Sequence, residues 1–367
     1  MTTHQSRNPA YAAILLLGTG LSLSGCATLP DDLFEDLGSN ITVPPPPPPP
    51  PPAQASVGPV ERPTLGNFPA PPVDPSEKAR IADSDQDETL TLRLVQSARS
   101  INVTSSPMST AADPDTDAGS ATLVFEIPAD PDADVTARFT LGNPALGISN
   151  VELSPDPSGT VLMANLPDGR RIQVQLATLD RGTTSGGRDF EWTGYGGWSI
   201  RSASDVPTKG SPIVTGYETP DAAMPTSGSA TFTGFVQGSV AVEDGTEIRT
   251  ASLLGDASIT ADFAAGTLSG QAPNIMAIPF GVYPNTTPGT PQPWNGLTFA
   301  GSFTTGLNGF TGTTGVSNAP GNSYSMLSSA AGLFSGRFFG PGAEELAAVW
   351  NLYDGNAVAS GVLVGGR

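Results

Sequence analysis

Few residues in this 367-residue chain could carry out chemistry, and their types restrict it further. The sequence has one cysteine, Cys26, and one histidine, His4, both near the N-terminus. Disulfides, Ser-His-Asp or Cys-His catalysis, and histidine-ligated haem all require residues that the rest of the chain lacks. We therefore predict a binding or structural protein rather than an enzyme, with no catalytic residues and no cofactor.

Carboxylates are the remaining reactive groups. The 35 acidic residues outnumber the 16 basic ones, for a formal net charge of -19, which disfavours nucleic acid as a partner. Asp113-Asp115-Asp117 and Asp130-Asp132-Asp134 have the alternate spacing of a calcium loop, but both lack its glycine at position 6 and its distal glutamate. We predict no metal site, and no carboxylate pair stands out for glycan hydrolysis.

The first 25 residues have the features of an export signal. Arg7 precedes an apolar segment, Ala12–Leu17, that is too short to span a bilayer. Leu23-Ser24-Gly25-Cys26 resembles the lipobox of bacterial lipoproteins, in which the cysteine carries acyl chains such as palmitate and becomes the first residue. In such lipoproteins Ala27 would imply sorting to the outer membrane of a Gram-negative bacterium. The prediction is a signal peptide over 1–25 and a lipid anchor at Cys26; a secretory signal with a chance cysteine is the alternative.

Residues 26–84 have the composition of a disordered spacer. An acidic patch, Asp31 to Asp36, leads into nine consecutive prolines, Pro44 to Pro52. A polyproline II helix would hold that run stiff over roughly 28 Å. We interpret the segment as a stalk that lifts the folded part off a membrane, with a proline-rich ligand for another domain as the alternative.

The rest of the chain has the pattern of an all-β protein. Glycine (43) and proline (37) are abundant, while charged residues make up only 14% of the chain. From residue 85 onward, short segments with period-two alternation recur between turn residues, as in Thr89–Leu94, Thr122–Ile127 and Ile172–Leu179. This predicts a β-rich domain over 85–222, followed by an eight-stranded antiparallel β-barrel over 223–367.

The barrel prediction depends on the second half, where alternation is clearest. In residues 257–263, "ASITADF", apolar and polar side chains alternate, and "AAGTLSG" then turns into a partner strand. Glycines such as Gly234 and Gly336 lie inside the predicted strands, where they allow the coiling that a small closed barrel needs. About eight such strands fit between residues 229 and 365.

Two stretches resemble a known family. "GYETPDAAMPTSGSATFTG" (216–234) and "GRFFGPGAEELAAVW" (336–350) are similar to barrel motifs of the transferrin-binding protein B-like surface lipoproteins, whose relatives include factor H binding protein and hemophilin. The final "GVLVGGR" is similar to the last strand of that family. The resemblance covers roughly residues 185–367 and implies a handle domain before the barrel. Phe232 and Phe339 replace tyrosines of the pattern, and Ala347-Ala348 stand where it has Gly-Gly.

The second of these motifs contains a predicted turn. Proline restricts φ and glycine tolerates positive φ, so Gly340 and Pro341 are expected to have a structural role in closing the barrel. The four residues Ala343–Leu346 are expected to form one helical turn before the next strand.

A long connection offers the best candidate for ligand binding. Residues 276–296 contain five prolines and three aromatic residues, Phe280, Tyr283 and Trp294. Aromatic side chains in a loop stiffened by prolines lose little entropy on binding, so we predict that these three contact a ligand. The alternative is that the loop folds over the barrel end and buries the rings as a plug.

The resemblance implies a function in binding, through surfaces of the handle and the barrel loops. The sequence then predicts a lipid-anchored outer-membrane lipoprotein, exposed at the cell surface, that binds a host or environmental protein or a small solute. Nutrient or iron acquisition is one such role, and an outer-membrane export partner is expected. A structural envelope lipoprotein without solute capture is the alternative.

Overall fold

A computed structural model describes residues 88–96, 99–102, 109–112, 121–127, 136–141, 148–156, 161–177, 190, 192–203, 207–244, 247–280 and 288–367. The predicted signal peptide, Cys26 and the stalk lie outside these residues, as do Tyr283 and both aspartate runs. Among the described residues, no helix has the length and apolar character needed to cross a membrane.

The predicted all-β class is confirmed, and the first half of the fold is itself a barrel. Its strands are β1 (Glu88–Gln96), β2 (Arg99–Asn102), β3 (Ser109–Ala112), β4 (Ala121–Ile127), β5 (Thr136–Leu141), β6 (Val151–Pro155), β7 (Leu162–Asn165), β8 (Arg171–Ala177), β9 (Thr193–Arg201) and β10 (Pro207–Gly216). Eight of them close in the order β1-β10-β9-β8-β7-β6-β5-β4, while β2 and β3 form a separate hairpin. The predicted β-rich handle is thus a closed antiparallel barrel.

The second half forms the predicted eight-stranded barrel. Its strands are β11 (Ser229–Asp244), β12 (Glu247–Asp262), β13 (Thr267–Ala272), β14 (Ile275–Pro279), β15 (Gln292–Pro293), β16 (Leu297–Ser302), β17 (Phe310–Val316), β18 (Ala331–Phe339), β19 (Glu345–Tyr353) and β20 (Ala357–Gly366). The order β11-β20-β19-β18-β17-β16-β13-β12 closes because β11 also pairs with β12. The long β12 additionally pairs with β14, which carries β15.

Because apolar and polar residues alternate along the strands, the apolar side chains of each strand point into a core. In the first barrel, Leu92, Leu123, Phe139, Ile172 and Trp198 are among the buried residues. In the second, the alternation predicted for residues 257–263 is observed, since Ala257, Ile259, Ala261 and Phe263 are all buried.

Glycines allow two strands of the second barrel to approach closely. Gly238 on β11 pairs with Gly361 on β20. A Cβ atom on Gly361 would lie 2.0 Å from the carbonyl oxygen of Gln237, and one on Gly238 would lie 2.9 Å from the Trp350 ring. These two glycines therefore make room for the indole inside the barrel.

The two barrels pack against each other through β9 and β10 of the first and β19 and β20 of the second. At this interface the Tyr195 and Phe235 rings lie 5.2 Å apart between centroids, and the Phe190 and Phe235 rings 5.9 Å apart. β9 is buried along its whole length, because one face lines the first barrel and the other meets the second. The glycines of β9 that interrupt its aromatic residues thus lie between two cores.

The expected helical turn at Ala343–Leu346 is wrong. Ala343 has φ of 65°, and β19 begins at Glu345. Glu344 instead accepts a hydrogen bond from the Gly342 N–H through Oε2 at 2.8 Å, which closes a tight turn. In the described residues, helical geometry is confined to the 3₁₀ helix Asp221–Ala223.

Candidate functional site

The centre of the second barrel is filled by aromatic side chains. The Phe338 ring has four phenylalanine neighbours, with centroid distances of 5.9 Å to Phe232, 5.6 Å to Phe263, 5.4 Å to Phe303 and 5.2 Å to Phe310. Each such pair contributes about 0.5–1.5 kcal/mol beyond the burial of apolar area. The rings occupy the space in which a hollow barrel would hold a ligand, so binding has to use the outer surface or the loops.

Two connections cover one end of this barrel, and we call residues 288–296 and 317–330 the cap. Trp294, in the first connection, is only 1% exposed. Its indole Nε1–H donates a hydrogen bond to the Tyr324 carbonyl oxygen at 2.8 Å, and its ring centroid lies 6.5 Å from that of Trp350. Trp294 is therefore a plug residue, as in the alternative considered above, and is not available to a ligand at the surface.

Asn295 joins the two connections of the cap. Its side-chain Nδ2 donates to the carbonyl oxygens of Asn318 at 2.7 Å and Met326 at 3.0 Å, and its Oδ1 accepts from the Met326 N–H at 2.7 Å. The residue is fully buried. One amide thus satisfies three backbone groups that the loops would otherwise leave unpaired, which gives the cap a defined conformation.

The cap presents one large apolar side chain to solvent. Leu327 is 55% exposed, and its backbone N–H donates to the Asp354 Oδ2 at 2.7 Å. Asp354 is itself held because its Oδ1 accepts from the N–H groups of Asn356 and Ala357. Phe280 is half-buried beside the cap, with its N–H bonded to the Thr250 carbonyl oxygen at 3.1 Å. We refer to Leu327 and Phe280, one beside each connection, as the cap surface.

The opposite end of the barrel has a matching arrangement around Asn308. Its Nδ2 donates to the carbonyl oxygens of Thr219 and Phe338 at 2.8 and 2.9 Å, and its Oδ1 accepts from the Phe338 N–H at 2.9 Å. Its own N–H donates to Asp221 Oδ1 at 2.7 Å. These hydrogen bonds hold the segment between the two barrels, which includes Thr219 and Asp221, against the rim of the second barrel.

The structure places Gly340 and Pro341 in the turn between β18 and β19, next to the same connecting segment. The Gly340 N–H donates to the Tyr217 carbonyl oxygen at 2.9 Å, and the Thr219 hydroxyl donates to the Gly340 carbonyl oxygen at 2.7 Å. Gly340 has φ of 88°, and a Cβ atom there would lie 3.0 Å from the Trp192 ring. The turn therefore contacts the interface between the barrels rather than solvent alone.

An ion cluster lies beside this turn. Glu218 is within 3.3 Å of the Arg337 Nε and 3.8 Å of an Arg93 Nη, so one carboxylate connects a strand of each barrel. Two exposed acids of the first barrel have a lowered pKa. The Thr136 hydroxyl, followed by Arg138, lowers the pKa of Glu126, and the backbone N–H of Arg170 lowers that of Asp168. Neither acid has the burial expected of a catalytic group.

Among the residues that the structure describes, no group of three or more histidines, cysteines or acids is placed to hold a metal ion.

Sequence reasoning missed Asn295, Asn308 and Leu327. "WNG" and "LNG" read as ordinary turn dipeptides with asparagine and glycine, and their contacts with distant loops have no local signal. The pair Met326-Leu327 in a polar loop was the available clue, because adjacent side chains face opposite ways and only one can enter the barrel.

Residues 224–367 match the family model described as the C-lobe and N-lobe β-barrels of transferrin-binding protein B. The second barrel is therefore similar to the barrels of transferrin-binding protein B. The matched region begins at Met224, whose side chain lies in the core of this barrel. No curated protein sequence is significantly similar to the chain.

Solved structures to which this chain is similar include transferrin-binding protein B from Haemophilus parasuis, 14% identical with a TM-score of 0.39 over 68% of this chain and 52% of that one. The same protein from serogroup B Neisseria meningitidis is 18% identical, with a TM-score of 0.33 over 68% and 50%. The haemoglobin receptor HpuA from Kingella denitrificans is 14% identical, with a TM-score of 0.36 over 76% and 87%. The chain spans about half the length of the transferrin-binding protein B structures.

Proposed function

We propose that this transferrin-binding protein B-like chain is a lipid-anchored surface lipoprotein that binds a host or environmental protein through its cap surface. The observation that carries the proposal is Leu327, 55% exposed on a hydrogen-bonded cap over a barrel whose interior is filled. The family match over residues 224–367 supports binding of a macromolecule, with iron or other nutrient acquisition as the role.

The geometry of the cap favours binding because the apolar side chain is held in place before a partner arrives. The hydrogen bonds of Asn295 and Asp354 restrict the loop at Met326 and at Leu327 itself. A preordered loop loses little conformational entropy in a complex, so more of the contact energy appears as affinity. Polar loop residues around an apolar centre also match the usual arrangement of a protein interface.

The binding test is a pull-down from host serum and from environmental protein extracts with the mature chain. Leu327→Asp places a charge at the centre of the cap surface. The matched control is Leu307→Asp, because Leu307 is similarly exposed at 49% but lies in the β16–β17 connection, at the opposite end of the barrel. We expect a partner that the unmodified protein and the Leu307 variant retain and the Leu327 variant loses.

Equal retention by both variants would contradict a site on the cap. If neither pool yields a partner, the proposal fails in favour of a structural envelope lipoprotein without solute capture. Both variants should unfold at nearly the same denaturant concentration as the parent, because substitutions at exposed sites change stability by only about 0.5 kcal/mol.

Membrane attachment is tested separately at Cys26. In the proposal a thioether-linked lipid at this residue holds the protein in the outer membrane, with residues 26–84 as the stalk. Several acyl chains, at about 0.8 kcal/mol per buried CH₂, anchor a protein without a spanning helix. We expect Cys26→Ala to move the protein from the outer-membrane fraction to the soluble fraction. Intact-mass analysis of the parent that shows no added acyl chains would contradict the anchor.

A further inference from the structure

The outer wall of the second barrel carries a groove of about 360 Å³ whose lining includes neither of the cap surface residues. It crosses β17, β18 and β19. Its lining side chains are Thr311, Thr313, Leu333, Ser335, Val349 and Asn351. Cross-strand pairing aligns Thr311 with Ser335 and Ser335 with Val349, which places three lining residues in one row.

The groove lies on a part of the wall that adjoins the first barrel. Its strands β1 and β10 contact β19, and Val349 and Asn351 on that strand are buried. The neighbouring side chains of β17 remain at the surface, and Leu333 on β18 is 37% exposed. The groove, whose described lining residues belong to the second barrel, thus lies beside the interface between the barrels. Small-ligand sites are common at domain interfaces.

The wall around the groove carries few charges. β13, β16 and β17 contain no charged residue, β18 contains only Arg337 near its end, and β19 contains only Glu345 at its start. The whole chain, by contrast, has a formal net charge of -19. A phosphate or carboxylate ligand would find no cation in the groove lining, and an amine would find no carboxylate there.

The polar groups of the groove are hydroxyls and one amide. Ser and Thr hydroxyls both donate and accept hydrogen bonds, so they match ligand groups that also do both. The hydroxyls of Thr311 and Ser335 make no hydrogen bond to another residue in the part of the chain that the structure describes. Leu333 adds an exposed apolar surface beside the polar groups.

We propose that this groove binds a neutral carbohydrate, one or two sugar units of an uncharged glycan. Sugar hydroxyls both donate and accept, and the apolar C–H face of a sugar ring suits Leu333. A volume of 360 Å³ is at the lower end of the range of about 300–1,000 Å³ for small-molecule sites. It is too small to account for a protein interface by itself. The proposal uses residues apart from the cap surface, so its failure and that of the proposed function are distinguishable.

The test applies the full mature chain to an array of neutral gluco-, galacto- and manno-oligosaccharides beside sialylated and sulfated glycans. We expect retention of neutral glycans only. The double variant Thr311→Val, Ser335→Ala removes two hydroxyls with little change in shape. It should weaken binding of the retained oligosaccharide, measured by calorimetry, by about tenfold.

The matched control is Ser269→Ala, Thr298→Val, which removes two exposed hydroxyls from β13 and β16 of the same wall, outside the groove. It should bind like the parent. The proposal is overturned if no neutral glycan is retained, if acidic glycans are preferred, or if the two double variants bind equally. Loss of a protein partner, rather than a glycan, on changing Thr311 and Ser335 would assign the groove to a protein interface instead.

Discussion

Asn295 offers the most direct test of how the cap is held. Asn295→Ala removes all three side-chain hydrogen bonds, two to carbonyl oxygens and one from the Met326 N–H. At a net 0.5–1.5 kcal/mol for each bond, the free energy of unfolding should fall by roughly 2–4 kcal/mol. The upper part of that range applies if water does not reach the orphaned backbone groups, since the asparagine is fully buried.

The location of the effect distinguishes this account from general destabilisation. Hydrogen exchange should show faster exchange in residues 317–330, and above all at the Met326 amide. Because the cap also holds Leu327, retention of the partner in the pull-down should fall together with amide protection. Equilibrium denaturation in urea gives the loss of stability.

Asn308→Ala is the matched control, because Asn308 makes the same three kinds of side-chain bond at the other end of the barrel. It should expose the segment around Thr219 to exchange and leave residues 317–330 protected. The reasoning is refuted if Asn295→Ala costs less than about 1 kcal/mol, or if both variants loosen the same segment.

Three further predictions concern packing and charge. Gly332→Ala should destabilise the protein by about 3 kcal/mol in urea denaturation, because its Cβ would lie 1.8 Å from a carbonyl oxygen of β19; Gly321→Ala, with φ of 78° but open space, should cost about 1 kcal/mol. Glu218→Gln should cost about 1 kcal/mol at low salt and less at high salt, and an unchanged difference at 1 M NaCl would contradict an ionic contribution. Thr136→Val should raise the pKa of Glu126 towards its ordinary value in an NMR titration. Because the folded pKa is lowered, the stabilisation from Glu126 is present above its unfolded pKa and is lost as the pH falls through the folded value.

The residues of the two family motifs illustrate which features of the fold the sequence could predict. Phe232 lies between Thr231 and Thr233, and its ring enters the barrel core as period two requires. The adjacent Phe338 and Phe339 are both buried, one in that core and one at the interface between the barrels. Ala347 and Ala348, which replace glycines of the family pattern, are buried on opposite faces of β19, one at the interface between the barrels and one in the core. The pattern indicated a buried strand but not that its outer face meets a second barrel.

The candidate site was harder to predict than the fold. Phe280, Tyr283 and Trp294 were grouped because they share one connection, yet the structure encloses Trp294 under Tyr324 of another loop. For Phe280 and Tyr283, ligand binding remains a prediction. Local sequence describes which side chains are aromatic, whereas their exposure depends on which distant segment covers them.

The all-β class, the eight-stranded second barrel and the family resemblance could be predicted from the sequence, because period-two alternation and turn residues act over a few neighbouring positions. Cys26 and its flanking residues are likewise the basis for proposing a lipid anchor. The closure of the first half into its own barrel, the burial of Trp294, the exposure of Leu327 and the groove beside the interface between the barrels became visible only in the folded protein. These features arise from contacts between residues distant in the chain, and no local pattern encodes which strands will meet.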